Sequence, residues 1–158
     1  MSKYACVRTD NMSGTRVEKD LVSLKINSDI ENGTILKVGG LVANERELRT
    51  ATIPAVGAAL GDLALVATPE VVKDKANYNI SDFINKANEA IRGYRLTSKS
   101  VFSVTKEAFA AGQNPAVTNL VELNGSGKLI AVAENTQDST VIGTVIAIED
   151  EWYVIEVA

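Results

Sequence analysis

Few residues in this sequence could carry out chemistry. It contains no histidine and a single cysteine, Cys6. Without histidine the chain lacks the usual general base near neutral pH and the commonest transition-metal ligand. Carboxylates, lysines and one thiol remain, and none of them stands in a catalytic spacing. We therefore expect no catalytic residue, no metal and no cofactor, and we predict that the protein is not an enzyme.

Two short motifs come close to a ligand site. Gly125-Ser126-Gly127-Lys128 resembles part of a phosphate-binding loop. That loop needs a glycine where Glu122 stands, and a serine or threonine where Leu129 stands. In the second motif, Glu149-Asp150-Glu151, adjacent side chains point in different directions, whereas calcium loops space their ligands at alternate positions. We interpret both motifs as turns.

Other sites also lack support. Paired carboxylates for glycoside hydrolysis need not be neighbours in the chain. However, only 5% of the residues are aromatic, which argues against a sugar-binding cleft. Cys6 lies beside Val7 in a strand-like context and is expected to be a buried, inert thiol. Trp152 and Tyr153 are interpreted as packing residues of a hairpin.

Charge is distributed unevenly along the chain. Residues 1–106 carry 15 basic and 12 acidic side chains, whereas residues 107–158 carry Lys128 against eight acids. A nucleic-acid-binding protein needs a basic surface, so we expect no nucleic-acid partner. Two interpretations of the acidic part remain open. It is either a solvated face that aids solubility, or an end that faces away from an acidic partner.

Membrane and export signals are missing. The N-terminus has no apolar run typical of a signal peptide, and no stretch approaches the roughly 18 apolar residues of a membrane span. The sequence predicts a protein made in the cytoplasm with no membrane partner.

The C-terminal part predicts four strands. Asn124-Gly125 between two apolar runs is a strong hairpin signal. The segment 141–148 is apolar on both faces, so we expect it in the middle of a sheet with Ile146 buried. The predicted strands, which we expect to form an antiparallel meander, are 117–123, 128–133, 141–148 and 152–157.

The rest of the chain is also mainly strand-like. Gly39-Gly40 is expected to break the predicted strand 34–38 or to form a bulge after it. The predicted strands are 21–26, 34–38, 48–53, 63–67, 94–96 and 101–104. The apolar residues between Ser81, a good N-cap, and Gly93 recur at helical spacing, which predicts the one short helix. A single helical turn is predicted separately at 106–110. The predicted fold class is therefore all-β, mainly an antiparallel β-barrel or sandwich, with one short helix.

A family resemblance follows from the middle of the chain. The residues that carry it are Asp82-Phe83-Ile84-Asn85, Arg92-Gly93-Tyr94-Arg95-Leu96, Val101-Phe102-Ser103-Val104 and Glu107-Ala108-Phe109. This stretch resembles the middle of the small decoration (cement) proteins on the heads of tailed bacteriophages. The resemblance extends over residues 20–158 and rests on spacing and residue character.

The resemblance implies a structural virion protein that binds the outer surface of the capsid and stabilises the major capsid protein lattice. Its partner would be the major capsid protein of the same phage. The decoration protein itself would be a monomer or a homotrimer. No site residue transfers by motif. Two other functions remain open: a small-molecule or carbohydrate-binding β-barrel module, and a structural component of a phage tail or baseplate.

For a capsid-binding protein, the domain organisation suggests where the contact lies. We expect an N-terminal arm or loop over 1–19 and a single β-barrel-like domain over 20–158. The arm is polar, so we expect it to order on contact and its deletion over 2–16 to leave the melting curve nearly unchanged. The acidic part would then face solvent. The candidate capsid contacts are Lys3, Tyr4, Arg8, Met12 and Arg16.

Overall fold

The computed structural model describes residues 3–71, 76, 78–136 and 138–158. Within them the chain is all-β, which confirms the predicted fold class. The strands are β1 (Val7–Asn11), β2 (Leu21–Lys25), β3 (Ile35–Leu41), β4 (Leu48–Thr52), β5 (Leu63–Val66), β6 (Ile91–Arg95), β7 (Val101–Thr105), β8 (Leu120–Leu123), β9 (Leu129–Val132), β10 (Val141–Glu149) and β11 (Trp152–Val157). In the described part of the chain, three 3-10 turns lie between them, at Leu60–Asp62, Ile80–Asp82 and Lys106–Ala108. No helix of the described residues has the length and apolar character to cross a bilayer.

Strands β2 to β6 form a closed barrel in the order β2-β4-β3-β5-β6. The β2–β4 pair is parallel and the other pairs are antiparallel. The β3–β4 register shifts between Val38 and Leu41, which confirms the bulge expected at Gly39-Gly40. A closed barrel leaves no strand edge unpaired.

The other six strands form an antiparallel sheet in the order β1-β7-β11-β10-β8-β9. At one edge, β9 is covered by the preceding segment. There Ala110 donates its backbone N–H to Leu129 (2.8 Å), and Ala131 donates its own to Oε1 of Gln113 (2.9 Å). The opposite edge is β1, a short strand carrying the charged residues Arg8 and Asp10, as edge strands often do.

Strands β3 and β5 join the barrel to the sheet because both of their faces are apolar. Alternate side chains of a strand point to opposite faces. One set packs with the core of the six-stranded sheet and the other fills the barrel. The first set is Ile35, Leu63 and Leu65, and the second is Leu36, Ala64 and Val66, all of them fully buried.

The C-terminal hairpins form as predicted, but the meander is wrong. β8 pairs with β9 and β10 pairs with β11, yet β10 pairs with β8 rather than with β9. Val121 and Leu123 of β8 are fully buried, whereas three of the four β9 residues are only half-buried. The more apolar strand takes the interior position, and the chain crosses over between β9 and β10.

The predicted burial of Ile146 is also wrong. β10 is central, but its register with β11 shifts between Val145 and Ala147, so Ile146 occupies a β-bulge. Its side chain is 45% exposed, whereas Val145 is fully buried. A bulge adds one residue to a strand and changes which residues face the core.

The helix expected from Ser81 to Gly93 does not form. A 3-10 turn spans Ile80–Asp82, with the Asn79 side chain accepting the Ser81 N–H. Asn85 then makes an isolated antiparallel bridge with Ile30, and β6 begins at Ile91. The separate helical turn expected at 106–110 is confirmed over Lys106–Ala108.

The N-terminal segment is not a free arm. Met1 and Ser2 lie outside the described residues. From residue 5 the chain is packed: Ala5 and Cys6 are buried, as expected for the thiol, and β1 pairs with β7. Deleting residues 2–16 would remove a strand of the sheet. The expectation of an unchanged melting curve loses its basis, and we predict a lower melting temperature for this deletion instead.

Candidate interaction surface

The structure does not bring the five predicted contact residues together. Lys3 is exposed, and its Nζ lies 5.0 Å from the centroid of the Tyr4 ring. The Tyr4 backbone N–H donates to the Ser81 carbonyl (2.8 Å). This pair therefore sits beside the 3-10 turn at residues 80–82, whereas Arg8 lies in β1 on the six-stranded sheet.

Met12 and Arg16 already have partners within the chain. Met12 packs against the core of the six-stranded sheet. Arg16 forms a two-pronged pair with Asp20, at 3.0 Å from Nε and 2.8 Å from the terminal nitrogen. This hydrogen bond holds the pKa of the Asp20 carboxyl below its usual value. Both residues stabilise the loop before β2.

Arg8 takes part in a cluster that depends on the strand order of the sheet. It pairs with Ser103 of β7, which pairs in turn with Val154 of β11. Trp152 lies two residues before Val154 and therefore on the same face of β11. The guanidinium carbon of Arg8 lies 4.4 Å from the centroid of the Trp152 ring, within the range of a cation–π contact.

Two carboxylates stand near Arg8 without forming short bonds to it. Asp10 is 3.8 Å away and Glu149 is 3.5 Å away, whereas charge-assisted bonds measure about 2.7–2.9 Å. Asp10 instead accepts a hydrogen bond from the Ser103 hydroxyl. We call these five residues (Arg8, Asp10, Ser103, Glu149 and Trp152) the Arg8–Trp152 cluster.

Most hydrogen-bond donors of Arg8 are uncommitted. Among the described residues, the side chain makes one hydrogen bond, a long one of 3.4 Å to the Ser103 hydroxyl. Its Nε is buried and has no hydrogen-bond partner among the described residues. The side chain as a whole is 40% exposed. A guanidinium has five N–H donors, so the cluster presents a cation fixed by stacking whose donors remain available.

The cluster also corrects the expected separation of charge. Arg8 belongs to the more basic part of the sequence and Glu149 to the acidic part, yet the two side chains lie side by side. Strand β1 shares one sheet with β10 and β11. The basic and acidic parts of the sequence therefore do not form opposite ends, and the predicted orientation loses its geometric basis.

A second exposed surface is the loop 53–61, which carries no charged residue. Ile53 and Val56 are exposed there. The loop is held by Thr140, whose backbone N–H donates to the Val56 carbonyl at 2.8 Å. Its apolar character makes it a further candidate for contact with a protein, since exposed apolar patches mark such sites.

Two ionisable side chains of the described residues lie inside the fold at separate places. Glu122 is fully buried, and its Oε1 accepts the Thr136 N–H at 2.8 Å. Burial raises the pKa of the Cys6 thiol to about 11, with a smaller contribution from nearby carboxylates. Among the described residues, no three cysteine, aspartate or glutamate side chains are grouped to hold a metal.

Compared with protein-family models and with curated proteins, the chain matches none. The candidate surface therefore stands on its geometry. Sequence reasoning named Arg8 but missed Trp152, Asp10 and Ser103. Their juxtaposition depends on the order of β1, β7 and β11, and no local pattern encodes that order.

Proposed function

We propose that this protein is a capsid decoration protein of a tailed bacteriophage, with no catalytic role of its own. It would bind the outer surface of the capsid and stabilise the lattice of the major capsid protein. The residues that carry the sequence resemblance support this proposal by their position. They include β6, which closes the barrel, β7, which lies between β1 and β11 in the sheet, and the 3-10 turn that follows.

The observation that carries the proposal is the contrast between a packed interior and an outward-facing Arg8–Trp152 cluster. Two apolar cores share β3 and β5, which makes the barrel and sheet a rigid support. Arginine, tryptophan and tyrosine are the residue types enriched among the few residues that carry most of the binding energy of a protein interface. A rigid scaffold presenting such residues suits a protein that works by contact with another protein surface.

Of the two alternatives, a small-molecule module gains no specific support. The structure has open grooves of about 420 and 400 Å³. Ligand pockets usually enclose most of their ligand and carry a few convergent polar groups, and neither groove has this form. A tail or baseplate component would use a similar scaffold, so the experiment must separate these two structural roles.

The test is binding to capsids of the encoding phage prepared without this protein. We expect the purified chain to co-sediment with expanded capsids at a saturating, fixed stoichiometry, and to raise the temperature at which they release DNA. Purified tails serve as the control and should not bind. Binding to tails but not to capsids would favour the tail role, and binding to neither would overturn the proposal.

A further inference from the structure

The Arg8–Trp152 cluster has donors that the fold does not use. An unpaired buried donor is costly, so native structures rarely retain one. Here the Nε of Arg8 is buried without a partner among the described residues, while the remainder of the group reaches the surface. The exposed end of the Arg8 guanidinium, and not its buried Nε, is therefore free to donate hydrogen bonds to an oxygen from outside the chain.

We infer that Arg8 is the anchor of the protein's contact surface and that it binds a carboxylate of the partner protein. This inference rests on the proposed function and adds the residue and the chemistry of the contact. Stacking on Trp152 orients the planar guanidinium. A carboxylate can then accept two parallel N–H bonds from it, a geometry that a lysine cannot reproduce.

The nearby acids do not fill this role. Asp10 accepts the Ser103 hydroxyl on Oδ2, and its other oxygen, Oδ1, lies 3.8 Å from Nε of Arg8, beyond hydrogen-bond distance. Glu149 is 65% exposed and 3.5 Å away, so it is free to swing into solvent. Glu149 thus acts as a weak competitor that a partner carboxylate displaces, and removing its charge should strengthen binding.

The experiment measures binding of the full-length chain to the same capsids by co-sedimentation. Arg8→Ala and Arg8→Lys should each raise Kd at least tenfold. Glu149→Gln should lower Kd about twofold to threefold, since it removes a competing surface charge. The matched control is Lys86→Ala, which also removes one positive charge and one surface ion pair, with Asp29, and should change Kd less than twofold.

Each outcome decides between specific accounts. If Arg8→Lys binds as tightly as the unmodified protein, the contact needs only positive charge and the inference is wrong. If Glu149→Gln weakens binding, the Glu149 carboxylate itself contacts the partner, and the inference is again wrong. In both cases binding by the unmodified chain would leave the proposed function intact.

Folding is checked independently of binding. Glu149→Gln alters an exposed side chain, so its melting temperature should equal that of the unmodified chain. Arg8→Lys keeps a cation beside Trp152 but loses the buried Nε, so its melting temperature should change only slightly. A guanidinium–carboxylate contact also predicts that binding weakens with added salt, and less so for Arg8→Ala. An equal salt dependence in both proteins would overturn the inference, and a complete failure of the unmodified chain to bind would overturn the proposed function as well.

Discussion

Asn85 and Ile30 exchange both of their backbone hydrogen bonds, each 2.9 Å long. The Asn85 side chain adds two more bonds, donating to the Ile30 carbonyl (2.9 Å) and to Oδ1 of Asn32 (3.1 Å). A helix through this segment would break these backbone bonds. This is the physical reason that a helical spacing of apolar residues is overridden here.

Removing the Asn85 side chain should therefore destabilise the fold. The residue is buried, so Asn85→Ala loses two hydrogen bonds that water cannot replace. We expect the free energy of unfolding to fall by about 1–3 kcal/mol in urea titrations. The control is Asn27→Ala, since Asn27 is exposed and its side chain makes no hydrogen bond with the described residues. Equal effects of the two changes would contradict this account.

The bulge in β10 predicts opposite results for two neighbouring residues. Val145→Asp places an unpaired carboxylate in the core and should cost at least about 3 kcal/mol. Ile146→Asp affects an exposed side chain and should change stability by about 0.5 kcal/mol or less. Thermal melts of both variants decide the register. A large loss for Ile146→Asp with a small loss for Val145→Asp would restore the register predicted from the sequence.

These two cases show what the sequence can and cannot predict. Asn124-Gly125 and the alternating apolar runs are local signals, and they predicted the fold class and both C-terminal hairpins correctly. The Asn85–Ile30 bridge and the bulge at Ile146 depend on contacts between distant segments, which periodicity cannot reveal. The same limit applies to the candidate site, where Arg8 was named and Trp152 was not.

Cys6 predicts a loss of stability in alkali. Burial raises its pKa from 9.0 to about 11, so the folded state holds the thiol proton more tightly than the unfolded chain does. The free energy of unfolding should therefore be unaffected by Cys6 below about pH 9 and should fall as the pH rises from there to about 11. Cys6→Ala removes this group. Urea titrations at each pH should show that the free energy of unfolding declines less steeply with pH for the variant. Parallel declines in the two proteins would contradict the prediction.

Asp20 predicts a loss of stability in acid. Its hydrogen bond with Arg16 is the main cause of a folded-state pKa below 3.8, and burial partly opposes it. The pair therefore stabilises the fold above the pKa of the unfolded chain, and this contribution is lost as the pH falls through the folded-state pKa. The difference in melting temperature between the unmodified chain and Asp20→Asn should stay constant from pH 7 down to about pH 5 and narrow as the pH falls below 3.8. A constant difference over the whole range would show that the ionisation of Asp20 does not contribute to the stability of the fold.

The doubly buried strands β3 and β5 have a consequence for anyone who divides the chain. A fragment of residues 20–96 would keep every strand of the barrel, but Ile35, Leu63 and Leu65 would lose the sheet that covers them. The fragment would present an uncovered apolar strip to water, and such strips drive self-association. We expect it to precipitate alone and to dissolve when the complementary pieces, residues 1–19 and 97–158, are supplied during refolding.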